Sequence, residues 1–311
     1  MACELTKGRA LDCKDVMGGV KNIYFAQHED LTITSSSYAG KHAGLYVNAA
    51  LKAADSLEYL TVRENVNYKE VINKVAGSDL VKDATCDFTE NSATLTLTEQ
   101  VLEVEPFQIN IDVCKKTMLS DWSYEKMDDF VAYAMTYLSD SIADSIEFNI
   151  WQGNTSTSGQ FNALSASGMT TSSASAAYSA ANIIANLGTL AADIPASVYG
   201  KDDLYIYMNK KTYRFYISAI SALSAFPFNH MGEYTPEFEG IKIAVCSGVA
   251  DNVMFAGQKS NAFFGTSLSS DLTEVKVLDM GDITGSDVVR MICRYTAGVQ
   301  VGVPSDFTKQ S

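Results

Sequence analysis

Apolar residues recur at three- or four-residue steps between positions 123 and 153: Met127, Val131, Ala134, Leu138, Ile142, Ile146 and Ile150. That period predicts one long amphipathic helix with these side chains on a single face. Asp128, Asp140, Asp144 and Glu147 fall on or near the other face. Ser123 suits the N-cap, Glu125 lies in the first turn, and Gly153 is the expected stop. Such a helix is a rod of roughly 45 Å, longer than most single domains use internally. A rod of that length predicts a protein whose task lies in its shape.

The pattern differs on either side of this helix. Gly18-Gly19, Ser35-Ser36-Ser37, Gly40 and Gly44 interrupt residues 1–60, which read as an arm, with a short helix over 47–59. Leu95 and Leu97 alternate with Thr94, Thr96 and Thr98, and Phe107, Ile109, Ile111 and Val113 alternate with Gln108, Asn110 and Asp112. With a turn at Glu90-Asn91-Ser92, residues 81–104 read as a long hairpin. A lone Thr-rich hairpin is marginal in water, so it is expected to rest on something else, such as another copy of the chain. The Ser/Thr/Ala/Gly-rich stretch 153–179 reads as a flexible loop or linker. Beyond it come helices over 180–193 and 209–223, and strands over 204–208, 241–245, 253–256, 262–265, 275–278 and 288–301. In the last of these, Val289, Met291, Cys293 and Tyr295 alternate with Arg290, Ile292 and Arg294. The fold class is α+β, and no internal repeat is visible.

Composition supports an ordered chain with a real core: 311 residues, 47% apolar, 19% charged, with 16 Tyr and 14 Phe. The net charge of −14 is uneven, since residues 121–153 hold seven acids against Lys126 alone. No basic stripe of the kind that grips nucleic acid is present; Lys115-Lys116 and Lys210-Lys211 are isolated pairs. An acidic surface tolerates packed DNA nearby without gluing it in place. No apolar run is long enough to span a membrane, and the N-terminus lacks an apolar signal core. Cys3, Cys13, Cys86, Cys114, Cys246 and Cys293 have no paired spacing and read as free thiols in a reducing compartment.

The search for chemistry is mostly negative. Phosphate-binding glycine loops, the nucleophile elbow and the zinc-protease helix motif are absent. His28, His42 and His230 each sit in loop-like sequence away from any Cys at ligand spacing. Ser123-Tyr124-Glu125-Lys126 formally matches S-x-x-K, but its companion motifs are missing and Ser123 is better explained as a helix cap. Asp140, Asp144 and Glu147 could hold a cation, though carboxylates at those steps usually face water or a neighbouring subunit. Asn154-Thr155-Ser156 has the glycosylation pattern without any sign of export. No cofactor is called for.

The order of parts resembles the major capsid protein family of tailed bacteriophages, the Hong Kong ninety-seven fold. TLTEQVLEVEPFQINIDVCKKTMLSDW resembles the descent from the extended E-loop into a strand of the peripheral (P) domain. DDFVAYAMTYLSDSIADSIEFNIWQGN resembles the spine helix and its exit, and DLYIYMNKKTYRFY resembles a strand and helix of the axial (A) domain. FEGIKIAVCSGVADNVMFAGQKSNAFFGTSLSSD and DVVRMICRYTAGVQVGVP resemble the following strands and the terminal P-domain strand. Together these cover about residues 60–304, and the resemblance lies in their collinear order. It implies an N-terminal arm over 1–60, an E-loop over 61–105, a P-domain over 106–185 with its spine helix at 123–153, an A-domain over 186–275, a return to the P-domain over 276–303 and a tail over 304–311.

The resemblance further implies a structural protein without catalysis that assembles into hexameric and pentameric capsomers and closes an icosahedral or prolate head. The shell would enclose double-stranded DNA without reading its sequence, would be built in the host cytoplasm and would end in the virion. Portal, scaffold and possible decoration proteins are the implied partners, with no membrane. Lys69, Lys74, Lys82, Asp140, Asp144, Glu147, Arg290 and Arg294 are the candidate inter-subunit contacts. Some family members crosslink Lys to Asn between subunits; Lys69, Lys74 and Lys82 lie in the E-loop region, but no acceptor Asn or catalytic Glu is identifiable. The N-terminal end is too short for a fused scaffolding segment, which implies a separate scaffold or none. Two other readings stay open: a shell of the same fold around protein cargo, as in encapsulin nanocompartments, and a tail-tube protein, against which the long helix argues. An enzyme is the weakest, since no acid–base or nucleophile constellation converges.

Overall fold

The alternation in the last apolar segment sets up the main sheet. A computed structural model describes residues 36–39, 54–77, 95–114, 127–174, 176–222, 237–267 and 274–311. In chain order it begins with strand β1 (Ser36–Ala39), a 3-10 turn at Asp55–Tyr59, and strands β2 (Thr61–Arg63), β3 (Lys69–Gly77), β4 (Leu95–Glu103) and β5 (Glu105–Cys114). Helix α1 (Met127–Gln152) is followed by a 3-10 turn at Leu164–Ser167, β6 (Thr170–Ser172), α2 (Ile183–Ala192), β7 (Leu204–Met208) and α3 (Lys210–Ala222). Then come β8 (Glu237–Phe238), β9 (Ile241–Val245), β10 (Met254–Gln258), β11 (Ala262–Gly265), β12 (Glu274–Asp279), α4 (Met280–Thr284), β13 (Val288–Val301) and β14 (Thr308–Gln310).

Strand β13 is the organising strand of the first sheet. It pairs antiparallel with β5, β12 and β11, while β1 extends the sheet beyond β12 and β2 runs parallel to β11. Val289, Met291, Cys293, Tyr295, Ala297, Val299 and Val301 are all buried on one face, in one core with Leu138, Ile142, Ile146 and Ile150 of α1. The period-2 stripe of the strand meets the period-3.6 stripe of the helix, and each covers the other. Arg290 and Arg294 point to the opposite face, as their alternation requires.

The second sheet runs β6-β14-β10-β7-β9-β8, with β7 parallel to β9 and β14 parallel to β6. Its central strands are apolar on both faces. Leu204, Ile206, Met208, Ile241, Ile243, Met254 and Ala256 pack with α2 and α3 through Ile183, Leu187, Leu190 and Tyr216. Tyr207, Ala244 and Phe255 face the other way, into the core that holds α1. Continuous apolar runs such as Leu204–Met208 thus mark strands covered on both sides. Trp151 joins the layers, its ring 5.1 Å from that of Tyr207 and 4.9 Å from that of Phe255.

Several expectations change. The described part of the long helix is Met127–Gln152, 26 residues, and the predicted cap Ser123 lies outside the described residues. The stretch read as a flexible linker is folded: Phe161, Ala163, Leu164, Met169 and Ser172 are buried, and residues 170–172 form a strand. Its small residues supply backbone hydrogen bonds, such as Ala163 N–H to the Gly153 carbonyl at 3.0 Å, where low complexity had suggested freedom. The partner of Leu95–Glu103 is Lys69–Gly77, well before the segment expected from a turn at 90–92, which itself lies outside the described residues. The end of the expected arm is anchored, with Ser56 and Leu60 buried. Of the short helix expected over 47–59, the described part is the 3-10 turn Asp55–Tyr59. The expected tail contains β14, held because Gln310 bonds the Asn186 carbonyl and Tyr178.

Candidate assembly surface

The β3–β4 hairpin leaves the body through two left-handed residues, Asn65 (φ 66°) and Tyr68 (φ 73°), an arrangement that side chains larger than glycine rarely adopt. Its root is held. Leu102 and Val104 pack with Val66 and Phe263, Val104 N–H donates to the Tyr68 carbonyl at 2.8 Å, and Gln300 donates to Gln100 at 3.0 Å. The chain crosses β13 at Gly298, where a Cβ would stand 1.9 Å from the Glu103 carbonyl oxygen. Only glycine fits that crossing.

Beyond the root the hairpin stands clear. In register, Val71 faces Val101 and Val75 faces Leu97, and opposite residues of an antiparallel pair share a face. One face therefore carries Val71, Val75, Leu95, Leu97 and Val101, exposed by 50%, 58%, 59%, 57% and 41%. Within the chain this stripe gains only its cross-strand pairs, whereas burying each such side chain in an interface is worth about 1.5–3 kcal/mol. Among the predicted contact residues, Lys69 pairs with Glu103 on this face, Lys74 lies on the opposite face, and Lys82 lies outside the described residues.

The acidic face of α1 divides. Asp140 and Asp144 are exposed beside Tyr137 and Phe148, but Glu147 is buried. The carboxylate of Glu147 accepts hydrogen bonds from Ser56 N–H at 3.0 Å, the Ser56 hydroxyl at 2.5 Å and Gly248 N–H at 3.1 Å. Trp151 Nε1–H donates to the Ser56 hydroxyl oxygen at 2.6 Å, and Gln152 donates to the Gly248 carbonyl at 2.6 Å. A shared cation face for the three acids is thereby ruled out. Glu147 sits on the same helical stripe as Asp140, but the C-terminal end of α1 sinks between the 55–59 turn and the β9–β10 turn. Ser56, Trp151 and Gly248 escaped the sequence reading, because no periodicity links them. The one available signal was a glycine between two strands.

On the outer face of the first sheet, Arg290 grips Asp112 with two bonds, Nε to Oδ1 at 2.6 Å and Nη2 to Oδ2 at 2.7 Å. These bonds hold the Asp112 carboxyl below its ordinary range. Arg294 Nε–H donates to Gln108 at 3.3 Å, so both predicted arginines sit beside β5. Among the described residues no group of His, Cys, Asp and Glu could hold a metal, and no helix is long and apolar enough to cross a membrane. Cys246 and Cys293 are free and buried, and burial pushes the Cys293 thiol up to about 12. Cys114 is free and exposed at the end of β5.

No protein-family profile matches the sequence, and no curated protein is significantly similar to it. Solved structures do match. A chain from Gordonia phage Cozz has 11% identity and a TM-score of 0.60, with 99% of this chain and 98% of that chain covered. A chain of the satellite phage P4 procapsid with its size determination protein has 12% identity and a TM-score of 0.59, over 96% and 97%. The virus-like particle from Pyrococcus furiosus gives 11% identity and a TM-score of 0.51, over 86% and 98%. The protein shares its fold, nearly end to end, with proteins of phages and virus-like particles.

Proposed function

We propose that this protein is the major capsid protein of a tailed phage, a structural subunit without catalysis whose copies close into the head around double-stranded DNA. The observation that carries the reading is the projecting β3–β4 hairpin with an apolar face that its own chain leaves uncovered, on a fold shared with phage and virus-like particle chains. In this reading the hairpin is the E-loop. Helix α1 with β5, β12 and β13 lies in the P-domain, and β7 to β10 with α3 and most of α2 lie in the A-domain. Repetition by symmetry, in hexameric and pentameric capsomers, buries the exposed stripe on neighbouring copies. Lys69, Lys74, Lys82, Asp140, Asp144, Arg290 and Arg294 remain proposed contacts between subunits, whereas Glu147 serves inside the chain. The net charge of −14 suits a wall that confines DNA without binding its sequence. Portal, scaffold and decoration proteins would join at assembly in the host cytoplasm, and the virion is the final location.

The test is expression of the chain alone and with its neighbouring virion genes, followed by negative-stain electron microscopy. Closed polyhedral shells or capsomer rings, with DNA inside particles from infected cells, are expected. Shells that load protein cargo instead would assign a nanocompartment, and a stable monomer under every condition would overturn the reading.

A further inference from the structure

Among the described residues, strand β5 has one edge that no other strand pairs. Over ten residues it pairs with β13 alone among the described strands, in an unbroken register from Glu105 to Cys114. Its other side offers a row of backbone N–H and C=O groups, a template for a further strand. The devices that usually blunt an edge are thin here: Pro106 stands near one end, and the strand has neither a lysine nor a bulge. The side chains tell the same story. Phe107, Ile109, Ile111 and Val113 are only half-buried, whereas Tyr295, Cys293, Met291 and Val289, their partners in the same layer of β13, are buried. One more strand beside β5 would complete that layer.

We propose that this strand is β5 of a second copy, running antiparallel about a two-fold axis at Asn110. Registers that set odd positions against even ones would put the apolar layer against the polar one. Centring on Asn110 sets Ile109 against Ile111, Phe107 against Val113 and Gln108 against Asp112. The charges then complement each other. Arg290 lies across from Asp112 and Arg294 across from Gln108, so each row across the joint reads Arg290, Asp112, then Gln108 and Arg294 of the second copy. Asp112 meets an amide backed by a guanidinium, and no like charges face each other within the paired strands. Shifting the centre to Ile109 would set Glu105 against Val113 and Pro106 against Asp112. The strand is thus self-complementary in the sense that a two-fold interface demands. The proposal rests on the shell reading only in that a shell brings many copies together.

The test is Asn110→Cys in a Cys114→Ser background, oxidised mildly both as soluble protein and as particles, with the linked peptides identified by mass spectrometry. Directly opposed strand residues have Cα atoms about 4.5–5.5 Å apart, within disulfide range. A 110–110 linked dimer is expected, with Gln108→Cys in the same background giving about tenfold less self-linked product. Particles that form without the 110–110 link overturn the two-fold joint and leave the shell reading standing. A soluble dimer linked at 110 without particles supports the joint and counts against the shell. Asn110→Lys places two ammonium groups on the axis and is expected to abolish the joint while circular dichroism stays unchanged; unaltered assembly of that variant also overturns the proposal.

Discussion

Glu147 and Ser56 meet across ninety-one residues of sequence, the carboxylate accepting both the backbone N–H and the hydroxyl of the serine. With Gly248 N–H as a third donor, this one side chain ties the chain's early segment and the β9–β10 turn to the end of α1.

Glu147→Ala leaves those donors buried without an acceptor. The expected loss is about 3 kcal/mol of folding stability, read from urea unfolding of the dissociated subunit. Glu147→Gln should fall in between, because its amide NH2 must face a donor. Equal stability of all three proteins would show that the clasp contributes nothing.

Two glycines should respond with opposite sign. A Cβ on Gly248 would stand 2.0 Å from the Glu147 carbonyl oxygen, so Gly248→Ala is expected to cost about 2–4 kcal/mol. Gly188, inside α2, has nothing within 4 Å of its would-be Cβ, and Gly188→Ala should stabilise by about 0.5–1 kcal/mol. Thermal melts of the two variants decide the matter.

Asp203 makes the fold sensitive to acid. Burial pushes its carboxyl up, but hydrogen bonds from Ser260 at 2.5 Å and Gln258 at 2.8 Å outweigh burial and hold it below its usual value. The unfolded chain therefore takes up this proton more readily. Its contribution is complete above the ordinary carboxylate pKa and is lost as pH falls through the lowered value. Asp203→Asn should flatten the fall of stability with pH below the ordinary carboxylate pKa, measured by unfolding across the acid range. A slope identical to that of the parent protein would remove Asp203 from the account.

The hairpin stripe should matter to assembly and not to folding. Val75 and Leu97 face each other and are both more than half exposed, so Leu97→Lys is expected to change subunit stability by less than about 0.5 kcal/mol. Losing its burial on a neighbour should raise the concentration needed for assembly about tenfold or more. Sedimentation through a gradient at several protein concentrations reads this out, and normal shells at the parent's threshold would detach the stripe from assembly.

Elements with a strong period were legible in the sequence. The stripes of α1 and β13 could be read because each is long and amphipathic: among the described side chains Leu138, Ile142, Ile146 and Ile150 of α1 are buried, as are the alternate residues of β13 from Val289 to Val301. The short apolar runs at 204–208, 241–245 and 262–265 lie where expected, since β-rich segments between turns leave few alternatives. The partner of β4 was missed because a turn signal at 90–92 competed with the true pairing, whose register depends on packing at Leu102 and Phe263. Residues 160–172 were misread because composition records side-chain size, whereas their order comes from backbone bonds to distant segments.

Sequence by itself determined which faces are apolar, since periodicity is local and each helix or strand carries its own. It also determined the charge, and through the order of parts it pointed to the fold. The tertiary structure alone decided which faces find cover within the chain. Glu147 and Asp140 occupy equivalent places on one helical stripe, yet one is buried and the other exposed. Val101 and Leu102 are adjacent in β4, and only Leu102 meets a core. Burial depends on which distant segment arrives opposite, and that is set by the whole chain's packing, which no local pattern encodes.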